Sequence, residues 1–362
     1  MRRTTIRSIS VEPINIPLLE PFTIATGSVS QAQNVLINIT LDDGSIGYGE
    51  CAPFTPSTGE TQETAIAAAR GCAKLIEGED AAHWRRLAKL MHSVYFTQAT
   101  ARAGVEMALL DALTRSYDVP LYIFFGGAST MVETDMSIPM VTPEHGYELA
   151  KDIVARGITS IKIKVGGDIR DDVARVEAIR EGAPGLGLTL DANQGYSANE
   201  ALLCLEALDD RDIRPLLLEQ PVHKDDYEGL RYVTQHTTVP VAADESAYSA
   251  ANVAHLIALG AVNVVNIKLM KSGFVEALDI AAVCRATHTQ LMIGAMMESR
   301  LATSAAAHFV AGLGGFRFVD LDTPMLLAED PFTGGYAQRG GIYDVSGVKS
   351  GLGIERNNEA GR

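Results

Sequence analysis

The chain has 362 residues, 47% of them hydrophobic, which is long enough for about two average domains and apolar enough to bury a core without disulfides or a structural metal. Thirty Lys and Arg stand against 45 Asp and Glu, and the formal charge of −15 argues against nucleic acid or an anionic membrane as partner and for a small molecule or metal. Cys51, Cys72, Cys204 and Cys284 are scattered with no CxxC pair, which suits a reducing cytoplasm better than a disulfide framework or zinc cluster.

At the start of the chain, Arg2-Arg3 is followed by no apolar stretch of signal-peptide length, and the strongest later apolar run, 261–270, is broken by Asn263, Asn266 and Lys268. The expectation is a soluble protein that is not exported. Residues 8–17 and 34–47 alternate apolar and polar side chains, and Asp42-Asp43-Gly44 between extended runs predicts a hairpin. Helical patterns follow over 60–76, 81–90 and 99–117, the last ending before Pro120. This opening reads as α+β.

From about residue 132 a unit repeats: a short β-branched run, a polar residue at its end, a turn, then an amphipathic helix, which predicts a parallel sheet. The run ends fall near Ser137, Lys164, Asp191, Glu219, Asp244, Lys268, Glu298 and Asp322, spaced by 27, 27, 28, 25, 24, 30 and 24 residues. Eight nearly even βα steps predict a closed barrel, so the fold class is α/β. Thr142-Pro143, Ser197 with Glu200, and Ser249 supply helix starts in phase with these steps, and Gly157 and Gly260 supply stops. Beyond Asp322 the chain leaves through Pro324 and a tail with Gly334, Gly335, Gly340 and Gly341, expected to return to the first domain.

Active sites of such barrels lie at the carboxyl ends of the strands. Three successive ends are acidic, Asp191, Glu219 and Asp244, flanked by Lys162 and Lys164 before them and Lys268 after them. Three carboxylates after apolar runs repel one another in a low-dielectric mouth unless a cation sits among them, and an all-oxygen set favours Mg²⁺, or Mn²⁺ in its place, over zinc. Any one of these acids taken alone is also what a helix N-cap looks like, and any one lysine what a solvated side chain looks like. Lys162 and Lys164, two apart on a strand, face the same way, and two neighbouring ammonium groups near a metal are expected to have lowered pKa values, as a general base requires. Lys164 and Lys268 fall on opposite sides of the mouth. One lysine then removes the α-proton of a chelated carboxylate and the other returns it to the opposite face, with Mg²⁺ and Lys162 stabilising the enediolate, which is a racemase or epimerase mechanism.

With these residues in place, the sequence resembles the enolase superfamily, and within it the muconate-lactonising-enzyme subgroup. The resemblance covers nearly the whole chain and implies a (β/α)7β TIM-like barrel over 126–324, with an α+β capping domain from 1–125 and the returning tail 325–362. It implies Lys164 (second lysine of a KxK motif) and Lys268 as the acid/base pair, Asp191, Glu219 and Asp244 as Mg²⁺ ligands, and a homo-oligomer. Asp320-Leu321-Asp322 looks like the DxD motif of dipeptide epimerases, whose acids hold the free α-ammonium of the substrate; one acid bonding backbone and the other solvated is the structural alternative.

In the family, a loop near 20–30 and another near 53–59 act as lids. Epimerases of L-Ala-D/L-Glu carry an arginine in the first loop, where this chain has Gly27. The missing cation implies an uncharged, hydrophobic second side chain, meeting Phe22, Ile24, Phe54 and Met297, with Glu298 at the seventh strand end; each apolar residue here is also an ordinary core candidate. The reading is a Mg²⁺-dependent epimerase of hydrophobic dipeptides. Muconate cycloisomerase, o-succinylbenzoate synthase and N-acylamino acid racemase chemistry are the enzymatic alternatives, and a non-catalytic binding protein is the alternative from another class.

Overall fold

The computed structural model describes residues 4–357, so Arg2 and Arg3 lie outside the described residues. β1 (Ile6–Ile24), β2 (Gly27–Leu41) and β3 (Ile46–Cys51) form an antiparallel sheet in that order. Val35, Ile37, Ile39 and Leu41 alternate onto one face and are fully buried, which is why β2 sits at the centre. After the short α1 (Thr55–Thr58), the helices α2 (Gln62–Ile76), α3 (Trp84–Val94) and α4 (Ala99–Ser116) cover that face, followed by α5 (Leu121–Phe124). α4 lies directly on β3: a Cβ at Gly47 or Gly49 would run into the backbone at Ala108 and Gly104.

Two expectations for this region need correction. The stretch near 20–30 is not a loop: β1 and β2 continue through it as a long two-stranded ribbon whose tip is Ala25-Thr26. Most of its side chains are exposed or half-buried and the register shifts between Pro17 and Phe22, so no apolar alternation marks it. The helix expected over 81–90 begins as a 3-10 turn, Ala81–His83, and runs on to Val94.

Past β4 (Met131–Glu133), the chain alternates strand and helix: β5 (Met136–Ile138), α6 (Pro143–Ala155), β6 (Ser160–Lys164), α7 (Ile169–Gly182), β7 (Gly187–Asp191), α8 (Ala198–Asp209), β8 (Leu217–Glu219), α9 (Tyr227–His236), β9 (Val241–Ala243), α10 (Ala250–Ala258), β10 (Val264–Ile267), α11 (Leu269–Ala286), β11 (Gln290–Gly294), α12 (Arg300–Leu313) and β12 (Phe316–Asp320). The eight strands from β5 to β12 pair in sequence order, all parallel. The first and last meet where the Asp135 N–H donates to the Val319 carbonyl at 3.0 Å, so the (β/α)7β barrel is nearly closed. Thr142, Ser197 and Ser249 cap α6, α8 and α10, and Ser197 forms a capping box with Glu200. The seventh barrel strand stops at Gly294, not at Glu298, which lies in the loop before α12.

After a 3-10 turn (Thr323–Leu326), the tail forms β13 (Phe332–Gly334) with β16 (Ile354–Arg356), and β14 (Ala337–Arg339) with β15 (Ile342–Asp344), which also pairs with β4. It returns to the first domain through the Ala328 N–H to Pro17 carbonyl bond (2.9 Å), the Leu121 N–H to Gly351 carbonyl bond (2.8 Å), and Arg115, which donates to the Ile354 carbonyl at 2.7 Å. Among the described residues no helix is long and apolar enough to cross a membrane.

Candidate active site

Parallel register carries the charged strand ends to one level: Lys164 stands beside Asp191 and Asp191 beside Glu219. Asp244 and Lys268 each follow their strand by one residue. Lys162, completely buried, is the hub. Its ammonium lies 2.7 Å from Asp320 Oδ2, 2.8 Å from Glu219 Oε2 and 3.0 Å from Asp191 Oδ2. Lys164 Nζ donates to Asp191 Oδ2 at 2.7 Å, and Lys268 Nζ lies 2.8 Å from Asp244 Oδ2.

The electrostatics differ from the sequence expectation for the lysines. Burial pulls the pKa of Lys162 down, but Asp191, Asp320, Glu219 and Asp135 together outweigh it and hold the pKa well above that of a free lysine. Lys268 behaves alike, burial being opposed chiefly by Asp244. The surrounding acids, not the neighbouring ammonium groups, set these values. Burial also pushes the carboxyls up, yet Lys162 and Lys164 keep Asp191 low, and Lys268 and Lys271 keep Asp244 low. Glu219 goes the other way, raised to about 7 by burial and by Asp191.

Asp191, Glu219 and Asp244 do not stand around a common point. Lys162 lies between the first two and two lysines hold the third, and among the described residues no three His, Cys, Asp or Glu side chains form a ready cluster for an ion. The donor set nevertheless suits a hard dication. All three carboxylates are buried, and Glu219 Oε2 accepts no hydrogen bond, although it is ion-paired with Lys162 at 2.8 Å. A buried carboxylate oxygen with no hydrogen bond, within an all-oxygen set, fits a hard dication such as Mg²⁺.

Above this layer opens a cavity with about 620 Å³ of atom-free space, part of it continuous with open solvent. Lys164 and Lys268 both line it, four strands apart in a barrel of eight and so on opposite sides. Asp320 and Asp322 line it too. Asp322 Oδ2 accepts the Ser137 N–H at 2.6 Å, and burial and Asp320 raise its pKa to about 6. Phe22, Ile24, Phe54 and Met297 form an apolar wall, the first two from the β1–β2 ribbon and Phe54 from the residue before α1.

Gly27 and Glu298 are not brought to the cavity. Gly27 is an exposed residue at the ribbon tip, with nothing within 4 Å of where a Cβ would stand. Glu298 turns back on its own loop, accepting the Met296 N–H at 2.9 Å.

Sequence reasoning missed several contributors. Val29 and Leu326 join the apolar wall. Asn193 lines the cavity and its N–H holds Asp191 Oδ1 at 2.9 Å; its signal was its place two residues after a strand-end acid. Asn266 donates to Glu219 Oε1 at 2.7 Å, and Lys271 binds Asp244 Oδ1 at 2.6 Å.

Comparisons with known proteins bear on this geometry. Residues 6–126 match the family model of the mandelate racemase / muconate lactonizing enzyme N-terminal domain, and residues 147–360 match the enolase C-terminal domain-like model. The chain is 46% identical to an aromatic dipeptide epimerase of Herpetosiphon aurantiacus, covering 95% of this chain and 97% of that one. It is 42% identical to an L-Ala-D/L-amino acid epimerase of Populus trichocarpa, over 94% of this chain and 83% of the relative. Among solved structures, a dipeptide epimerase of Enterococcus faecalis V583 complexed with Mg and the dipeptide L-Leu-L-Tyr superposes with a TM-score of 0.94 at 34% identity, covering 97% of this chain and all of that one.

Proposed function

The chain belongs to the mandelate racemase / muconate lactonizing enzyme family of the enolase superfamily, and from that premise we propose that it is a Mg²⁺-dependent dipeptide epimerase that inverts the α-carbon of the C-terminal residue and prefers a hydrophobic side chain there. The observation that carries the reading is the placement of Lys164 and Lys268 on opposite sides of one cavity whose wall also holds Asp320 and Asp322. The epimerase relatives support it. We take residues 1–125 with 325–362 as the capping domain and 126–324 as the catalytic barrel. The four cysteines, all buried and free, support a cytoplasmic setting.

Lys164 as the free amine takes the α-proton from one face; the C–H electron pair becomes the C=C bond of an enediolate, and the Lys268 ammonium gives a proton to the other face. For the opposite epimer the two lysines exchange roles. Lys162, held charged by its carboxylates, offsets the negative charge that builds on the substrate carboxylate. Mg²⁺, when held by Asp191, Glu219 and Asp244, supplies Lewis-acid stabilisation of that same charge. Asp320 and Asp322 take the substrate's free α-ammonium, a charge-assisted contact that an acylated amine lacks. Phe22, Ile24, Val29, Phe54, Met297 and Leu326 keep water from the reacting carbon and bury the second side chain.

The test is α-proton exchange in D₂O with Mg²⁺, followed by NMR, on L-Ala-L-Phe, L-Ala-L-Glu and N-acetyl-L-Phe. The expected order is rapid exchange at the Phe α-carbon of the dipeptide, slower exchange with Glu, and none with the acylated amino acid. Exchange of N-acetyl-L-Phe without exchange of either dipeptide overturns the assignment.

A further inference from the structure

The turn after β10 carries a buried lysine that the two-lysine reaction does not use. Lys271 follows Lys268 by one turn, and its ammonium has three acceptors: Asp244 Oδ1 at 2.6 Å, the Asn266 carbonyl at 3.0 Å, and the Asp244 carbonyl. An ammonium has three protons, so every donor is used and none is left for the cavity, which Lys271 does not line.

These contacts fall beside a short stretch of the barrel ladder. β9 and β10 are in register at only two positions, Val264 with Ala242 and Val265 with Ala243. Just beyond, Lys271 joins a carbonyl from each strand end, and it holds one oxygen of Asp244 while Lys268 holds the other. The opposite lysine is fixed differently: its partner Asp191 carries Lys162 and Lys164 on the same oxygen, Oδ2, while the backbone N–H of Asn193 holds the other. The turn bearing Lys271 is itself gripped from the capping domain. Glu106 of α4 accepts the N–H groups of Phe274 (2.7 Å) and Val275 (3.1 Å), directly after the kink at Gly273.

We propose that Lys271 is a positioning residue that fixes the Asp244 carboxylate and, through it, the ammonium of Lys268, so that its loss impairs one face of the reaction more than the other. The proposal rests on reading Asp244 as a Mg²⁺ ligand and Lys268 as one of the two bases. A purely structural lysine would weaken both faces equally, because Lys164 and Lys268 share one folded barrel.

The experiment compares Lys271→Met with Lys268→Ala in the full-length chain. Two readouts are taken: the affinity for MgCl₂ alone by titration calorimetry, and the ratio of α-proton exchange rates for L-Ala-L-Phe and L-Ala-D-Phe. Removing a group that orients a metal-binding carboxylate typically costs about 10–100-fold in affinity or activity. We expect a Mg²⁺ affinity loss in that range, and an exchange ratio displaced in the same sense as Lys268→Ala displaces it. An unchanged Mg²⁺ affinity, or an equal fall in both exchange rates, overturns the positioning role while leaving Lys268 as a base. If Lys268→Ala itself leaves the ratio unmoved, the two-base reading fails, and the proposal with it. Where Lys271→Met does not fold, Lys271→Gln, which keeps a donor for one carbonyl, is read instead; a smaller displacement in the same sense supports the proposal and none overturns it.

Discussion

Replacing Lys162 by Met removes the one ammonium shared by Asp191, Glu219 and Asp320, three buried carboxylates within 3.0 Å of its nitrogen. At about 2.8 Å and an effective dielectric near 20, each such pair is worth roughly 6 kcal/mol of Coulomb energy. Withdrawing the ammonium from water costs several kcal/mol of that, and breaking a buried pair on one side leaves a net penalty of about 3–5 kcal/mol. In the presence of a chelator, Lys162→Met is therefore expected to be less stable than wild type by that amount in urea unfolding. The penalty should narrow as pH falls toward about 7, because Glu219, raised to about 7 by burial and Asp191 even with Lys162 beside it, loses that opposing ammonium in the variant and takes up a proton before the wild-type group does, relieving the surplus charge. Mg²⁺ at about a hundred times its Kd should return roughly 2.7 kcal/mol. A variant within about 1 kcal/mol of wild type in chelator, with no response to Mg²⁺, refutes the view that Lys162 neutralises the acids.

Two further outcomes follow from the core. His308 is buried and neutral, accepting the Tyr122 N–H and donating to the Gly335 carbonyl, and burial lowers its pKa to about 4. The unfolded chain takes up a proton first on acidification, so the stability His308 contributes is complete above pH 6.5 and is lost progressively toward pH 4, by about 3 kcal/mol; His308→Gln should flatten that slope in urea unfolding, and an unchanged slope contradicts it. Gly273 has φ of 77°, and a Cβ there would stand 2.7–2.9 Å from the Glu106 carboxylate. Gly273→Ala should lower the urea midpoint by the equivalent of about 2–3 kcal/mol and slow α-proton exchange, since the displaced turn carries Lys268 and Lys271; a midpoint equal to wild type contradicts this.

The barrel was legible because each strand is a short apolar run ending in a charge, as at Leu190-Asp191 and Leu218-Glu219, and a period near 27 residues admits few architectures. The chemistry was legible for the same reason: residues that end parallel strands share one rim. The ribbon over 18–33 was hidden because its one covered face is mostly half-buried, against the cavity, and its register shifts after Pro17, so little in its pattern separates strand from loop. Lys271 was hidden because it lies in the turn opening α11 rather than at a strand end, where an isolated lysine reads as solvated. Glu50 and Glu106 were hidden because their partners are distant in sequence. From the capping domain, Glu50 accepts the N–H groups of Ser299 and Ala302 at the start of α12, as Glu106 does those of Phe274 and Val275, so two buried acids tie the cap to the helices that follow β10 and β11. Glu298 was misplaced because β11 ends four residues earlier, at Gly294.

The most direct trial of the two-lysine arrangement is α-proton exchange in D₂O by Lys164→Ala and Lys268→Ala, each with L-Ala-L-Phe and with L-Ala-D-Phe. Each variant should fail to interconvert the epimers yet still exchange the proton of one of them, and the two variants should retain opposite epimers. Epimerisation surviving in either variant, or both variants retaining the same epimer, would contradict the account.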